Sequence, residues 1–203
     1  MVDEKRSTRD RILEAALEVF FEKGFGEATV NNITEVAGTS HGTFYIYFKN
    51  KRDLLWDLVQ VTFGKLYYST QDPWKKGNIY DSLEQSVRGW FRVQTEYWKI
   101  IRIWQEVAYS DEEFAALWEH LSKTITLRIQ QNIEASIQTS TCRRVNPPVV
   151  ATAISGMIEH YAHIVLFREE KFDLEEIVTA IADLWYHAIY VLSDDDVNHG
   201  NRS

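Results

Sequence analysis

Apolar residues along the chain recur at spacings of three and four, not two, and this pattern predicts an all-α protein. Glycine and proline punctuate it in few places. Gly24, Gly26, Gly38 and Gly42 crowd the first fifth, and Pro73 with Gly77 and Pro147-Pro148 mark two later breaks. A first helix is expected from about Thr8 to Lys23, capped by Ser7 or Thr8, with Ile12, Ala16, Val19 and Phe20 on one face. Gly24 ends it as a left-handed cap residue. Thr29 caps a second helix through Ile33, Val36 and Ala37, which Gly38 stops after two turns. A third short segment runs from Ser40 to Phe48, and Asn50 caps a fourth helix from Lys51 to about Tyr68. Two short helices joined around a glycine form a helix-turn-helix signal.

Beyond the Asp72-Pro73 loop the helices lengthen. They are expected near Tyr80–Lys99, Ile100–Tyr109, Asp111–Gln138, Pro147–Arg168 and Leu174–Leu192, about nine in all. Ser110 with Glu113, and Asp173 with Glu176, read as capping boxes, and Asn146-Pro147 as an N-cap followed by a proline in the first turn. The organisation predicted is a three-helix domain over residues 1–56, a larger helical bundle over 57–193, and a polar tail, 194–203, expected to be disordered.

Composition changes this picture little, and charge changes it more. The 203 residues can bury a core without staples, and the single cysteine forms no internal bridge, as in a reducing compartment. The first residues lack the apolar stretch of a signal peptide, and no apolar run approaches the ~18 residues that span a membrane. A cytoplasmic protein with no membrane partner is expected. The net charge of −8 counts at first against a nucleic-acid partner. Divided, it reads differently: residues 1–56 carry eight basic against nine acidic side chains, residues 57–203 carry 14 against 21. The acidity lies mostly in the second part, and in the first the bases sit at Lys5 to Arg11 and Lys49 to Arg52. Lys5, Arg6, Arg9 and Arg11 read as a solvated face or as a basic arm following the minor groove.

The segment Thr29 to Lys51 carries chemistry. Ile33, Ala37 and Phe44 are spaced to pack two helices together, and Phe48 closes onto the first helix. Ser40, His41, Thr43, Tyr45 and Tyr47 stay outward, followed by Lys51: small or flat donors able to reach phosphates and base edges in a major groove. At Gly42 backbone can approach DNA closely, and Thr29 at a helix N-terminus offers a phosphate seat.

These residues carry a resemblance. Residues 8–56 are similar to the DNA-binding domain of the tetracycline-repressor (TetR) family. Ala15-Ala16, Phe20 and Gly24-Phe25 resemble its first helix and turn, and Gly42 to Leu55 (GTFYIYFKNKRDLL) its recognition helix and the start of its fourth helix. The match covers about a quarter of the chain; the rest matches in helix number and order. The resemblance implies recognition-helix contacts at Thr43, Tyr45 and Tyr47, a phosphate-binding lysine at Lys51 and an N-terminal phosphate contact at Thr29. His41 falls where members vary to set sequence preference. Thr34 stands where a helix-packing alanine is usual, and Thr39 where an apolar turn residue is usual.

The resemblance further implies a homodimeric regulator of transcription, a repressor released from a double-stranded operator by a small hydrophobic or aromatic effector. For dimerisation the last two helices offer two stripes, Val150, Ile154, Ile158, Tyr161 and Val165, then Ile177, Ile181, Leu184, Ala188 and Leu192, with Ala153 and Gly156 permitting close approach. For the effector the middle helices offer Trp90, Gln94, Tyr97, Trp98, Trp104, Tyr109, Trp118 and Tyr161 as flat walls, with Glu106 able to pair a lipophilic cation; the plain alternative makes Trp98 and Trp104 core and leaves Glu106 exposed. His160 and His163 lack a third metal ligand, so no metal or other cofactor is expected. Cys142, beside Arg143 and Arg144, reads as a loop thiol or as one with a lowered pKa. No Walker loop, dinucleotide fingerprint, His-Glu-x-x-His or Glu-x-x-His occurs, so no enzyme is expected; the alternatives are control by a protein partner and, distantly, a helical-bundle enzyme.

Overall fold

The computed structural model describes residues 7–70, 78–167 and 173–190, without the side chains of 165–167. The expectations for the 194–203 tail, the Asp72-Pro73 loop, Lys5, Arg6, Leu192 and the side chain of Val165 lie outside the described residues. Those residues form nine helices and no strand. They divide into two units, one drawn from 1–64 and 97–118, the other from 65–96 and 119–203.

The first unit starts at α1 (Thr8–Glu27), which Ser7 and Asp10 open with a capping box, and which buries Ile12, Ala15, Ala16, Val19 and Phe20. Gly24 breaks it at φ +77°, but the chain then resumes one further helical turn before Ala28, where the sequence predicts an end. Thr29 and Asn32 form a second box at the start of α2 (Val30–Val36). That helix ends in a Schellman arrangement: Gly38, at φ +60°, donates its N–H to the Glu35 carbonyl, and Thr39 donates to that of Thr34. The two threonines at unusual positions are thereby accommodated. Thr34 is buried, and its hydroxyl donates to the Asn31 carbonyl at 3.1 Å.

Ser40 caps α3 (His41–Tyr47), and Asn50 caps α4 (Lys51–Ser69) by accepting the Asp53 N–H at 2.8 Å. Ile33, Ala37, Phe44 and Phe48 all pack inward, as their spacing predicts. The same unit also includes α6 (Trp98–Ala108) and the start of α7 (Glu112–Gln138). Trp104 is fully buried there: its Nε1 donates to the Phe114 carbonyl at 3.0 Å and its ring meets Trp118 edge-on at 5.0 Å. The cap of α7 is Asp111 rather than Ser110. Asp111 Oδ1 accepts the N–H groups of Glu113 and Phe114, while Ser110 turns back onto the Val107 carbonyl. A short carboxylate directly before the helix outcompetes the serine one residue earlier.

In the second unit α5 (Ile79–Glu96) lies along α9 (Leu174–Ile189), and both touch α8 (Pro147–Phe167). Gly89 brings α5 against the end of α4, where a Cβ would meet the Ser69 carbonyl oxygen at 2.9 Å. Asp173 caps α9 by accepting the Glu175 N–H, a single cap in place of the box with Glu176 that the sequence suggests. The dimer stripes need correction. Ile154, Ile158, Ile177 and Ile181 are buried in the protomer's own core, so they are not available to a partner. Val150 and Tyr161 are half-buried, and Leu184 and Ala188 are exposed. The outer faces carry Val149, Ala153 and Gly156 on α8 and Ala180, Leu184 and Ala188 on α9. Cys142 is buried too, and burial pushes its thiol up, opposite to the lowering that Arg143 and Arg144 suggested.

Candidate nucleic-acid interface and ligand cavity

The helix-turn-helix presents α3 outward. Phe44 and Phe48 hold its inner face, leaving Tyr45 50%, Ile46 77% and Tyr47 42% exposed, with His41, Gly42 and Ser40 exposed at its start. His41 packs edge-on against Tyr45, ring centres 5.1 Å apart, so the two exposed rings brace each other. Ser40 Oγ accepts the Thr43 N–H at 3.1 Å and lies 2.8 Å from Thr43 Oγ1. Ile46 is a candidate that the sequence reading omitted. Its signal was present, an aliphatic residue between two outward tyrosines, and an exposed aliphatic suits a thymine methyl group.

Thr29 and Lys51 are both engaged internally. The Thr29 hydroxyl accepts the Asn32 N–H and donates to Asn32 Oδ1 at 2.9 Å. Lys51 Nζ donates to three carbonyls, Phe25 at 2.7 Å, Gly26 at 2.8 Å and Ala28 at 2.7 Å, and sits 4.9 Å from the Phe25 ring centre. Three N–H bonds meet three acceptors, so the ammonium clamps the α1–α2 corner onto the first turn of α4. Its neighbour Arg52 binds Asp111 through two nitrogens, at 2.6 and 2.9 Å, and also reaches Glu113. These contacts raise the Arg52 pKa and hold the Asp111 carboxyl below the usual carboxylate range, chiefly through the Arg52 hydrogen bonds. Arg9 pairs with Asp57 at 2.6 Å, which favours the solvated-face reading of that residue over the groove arm.

The candidate ligand residues are divided between the two units. Tyr97, Trp98, Trp104, Glu106, Tyr109 and Trp118 fall in the first unit, and Trp90, Gln94 and Tyr161 in the second. Trp98 packs edge-on against Phe21 at 4.9 Å, Trp104 is core, Glu106 is exposed and Tyr109 is 94% exposed. Of the nine, only Trp90 lines the cavity found in the second unit. That cavity lies among Val87, Trp90, Ile125, Ile129, Ile158 and Trp185, with Thr70, Ser86, Arg128, Asn132, Ser155 and Glu159 adding polar atoms. Its volume is ≈ 40 Å³. A legible signal existed in Ile125, Arg128, Ile129 and Asn132, a stripe at i, i+3, i+4 and i+7 in which two polar residues interrupt an apolar face.

Residues 12–58 match the model of bacterial regulatory proteins of the tetR family. Over those residues the chain carries the helix-turn-helix domain of that family. Relatives extend the likeness. The fatty acid metabolism regulator protein of Bacillus subtilis is 40% identical over 62 residues, 30% of this chain and 32% of the relative, so this match spans about a third of its length. The transcriptional regulator AcrR of Shigella flexneri is 24% identical over 188 residues, 85% of each chain. Among solved structures, a SmeT–triclosan complex superposes with a TM-score of 0.71 at 19% identity, covering 92% of this chain and 93% of that one, a likeness of fold. The family's helix-turn-helix is the segment over which α2 and α3 lie.

Proposed function

We propose that the protein is a homodimeric transcriptional repressor that leaves its operator when a small, largely apolar molecule enters the second unit. The observation that carries the reading is exposed His41, Tyr45 and Tyr47 beside half-buried Thr43 on α3, held out by buried Phe44 and Phe48 within a tetR-family domain. These side chains and Ile46 contact bases and phosphates in the major groove, with Gly42 allowing close backbone approach. Ser40 and Thr29 act mainly as helix caps that fix α2 and α3. The exposed strips of α8 and α9, small residues around Val149 and Leu184, pair with the same strips of a second copy.

The ligand site is the cavity around Trp90 and Trp185. A SmeT structure with triclosan bound supports a small-molecule effector for the fold, and the AcrR relative aligns over both units. Occupancy is transmitted through α4, which Thr70 on the cavity wall directly follows and whose first turn holds the α1–α2 corner through Lys51. The ligand must favour the DNA-incompetent state; a hundredfold preference moves the equilibrium by about 2.7 kcal/mol.

The test is selection of a bound sequence from a random DNA pool, followed by affinity and sedimentation measurements on the full chain. The expected result is a near-palindromic operator bound by a dimer, with Tyr45→Phe and Tyr47→Ala each weakening it at least fivefold without lowering the melting temperature. No selected sequence at low salt, or a monomer on the operator, would overturn the proposal.

A further inference from the structure

A guanidinium lines the second-unit cavity. Arg128 Nη1 donates to the Tyr67 carbonyl at 2.6 Å and to Thr70 Oγ1 at 3.0 Å, and the guanidinium carbon lies 4.0 Å from the Tyr67 ring centre. The two Nη1 donors are therefore occupied, and the stacked ring holds the group in one plane. The Nε–Nη2 edge has no partner among the described residues, and no carboxylate there pairs with Arg128. That free edge presents two parallel N–H groups, the fork that fits a carboxylate. A second donor waits on the wall. Trp90 is 6% exposed, and its Nε1–H has no acceptor among the described residues. A buried donor without an acceptor is costly, and a ligand oxygen would recover that cost. Glu159 also lines the cavity, but it is exposed, and its Oε1 accepts from Ser122 at 2.8 Å.

The geometry points to an amphiphilic monocarboxylate as the effector class, with its head on the free edge of Arg128 and its apolar body against Val87, Trp90, Ile129 and Trp185. This rests on the proposed reading of the cavity as the effector site. It reverses the charge expected from Glu106, which lies exposed in the other unit. The small volume, ≈ 40 Å³, holds only about three waters at the ~10–15 Å³ that each needs. An alkyl chain can enter by turning side chains, whereas a fused ring system needs helices to part. Arg128 also grips the last turn of α4 through Nη1, so a carboxylate on its other edge and the Tyr67 carbonyl are held by one guanidinium.

The experiment is calorimetric titration of the full chain with three probes of equal chain length, decanoate, decanol and decyltrimethylammonium, below their micelle thresholds. Decanoate is expected to bind at least tenfold more tightly than decanol, and the cation not at all. Arg128→Met is expected to remove the decanoate advantage while leaving decanol binding within threefold, and decanol binding also reports that the variant is folded. Arg128→Lys keeps the charge but loses the fork, and recovers only part of the advantage. Trp90→Phe weakens decanoate severalfold and provides a second reading if Arg128→Met does not fold. Equal binding of decanoate and decanol, preference for the cation, or no binding of any probe overturns the inference. Operator retention is measured in the same samples. Selective DNA binding released by decanol or by the cation would sink the carboxylate and keep the regulator, whereas absence of selective DNA binding would sink the regulator itself.

Discussion

Lys51 separates two explanations of one residue, and its contacts allow the difference to be worked out. As a phosphate ligand it would contribute to DNA affinity and little to folding; as the clamp on the Phe25, Gly26 and Ala28 carbonyls it does the reverse. Lys51→Met keeps the stem and removes all three bonds. Hydrogen bonds to a charged group contribute ~1.5–3 kcal/mol each when desolvated. Here the site is only partly buried and water replaces much of the loss, so the sum is about 2 kcal/mol. For a chain of this size that lowers the melting temperature by about 4–8 °C at fixed protein concentration. Lys51→Arg should do nearly the same harm, because a planar fork cannot converge on three carbonyls around one nitrogen. The assays are a thermal melt of both variants and the salt dependence of operator binding. The slope of log affinity against log salt should stay as in the parent protein. The reasoning is refuted if Lys51→Met melts like the parent, Lys51→Arg binds DNA normally, and the Met variant loses about 0.9 of slope per subunit, the signature of one lost phosphate contact.

Three further outcomes are expected. Gly89→Ala pushes a methyl group to 2.9 Å from the Ser69 carbonyl oxygen and should destabilise the chain by about 1–3 kcal/mol in urea unfolding; an unchanged midpoint would show that α5 can shift away cheaply. Asp111 has its pKa lowered by Arg52, so the stability it contributes is present above the unfolded value of about 4 and is lost as pH falls through the lower folded value. Asp111→Asn should therefore lower the melting temperature at neutral pH and flatten its fall in acid, and a parallel pair of pH profiles would remove this account. Cys142 is buried with its thiol pushed up, so labelling by a disulfide reagent should be slow in the native chain and prompt in denaturant; prompt labelling of the native chain would contradict it.

The helix-turn-helix was legible because each of its boundaries has a local chemical cause: Ser7, Thr29, Ser40 and Asn50 all serve as caps, and Gly38 supplies the turn. The dimer stripes were not. Helix α8 is apolar nearly all round, so its periodicity cannot tell Ile154 and Ile158, which face the protomer's core, from Val149, which faces out. The cavity was hidden for a related reason. Trp104 in a core and Trp90 on a cavity wall are the same letter, and only long-range packing separates them. Lys51 was found as a notable position, but its acceptors are backbone carbonyls, which carry no mark in a sequence.

The turn between α2 and α3 has an evolutionary consequence. Its angle is fixed by the Gly38 and Thr39 amides on the carbonyls of Glu35 and Thr34 and by the buried rings of Phe44 and Phe48. The exposed side chains at Ile46 and Tyr47 supply none of those backbone bonds. Substitution there can alter which DNA is preferred while leaving the frame intact, so lineages can drift toward new operators without first passing through an unstable protein.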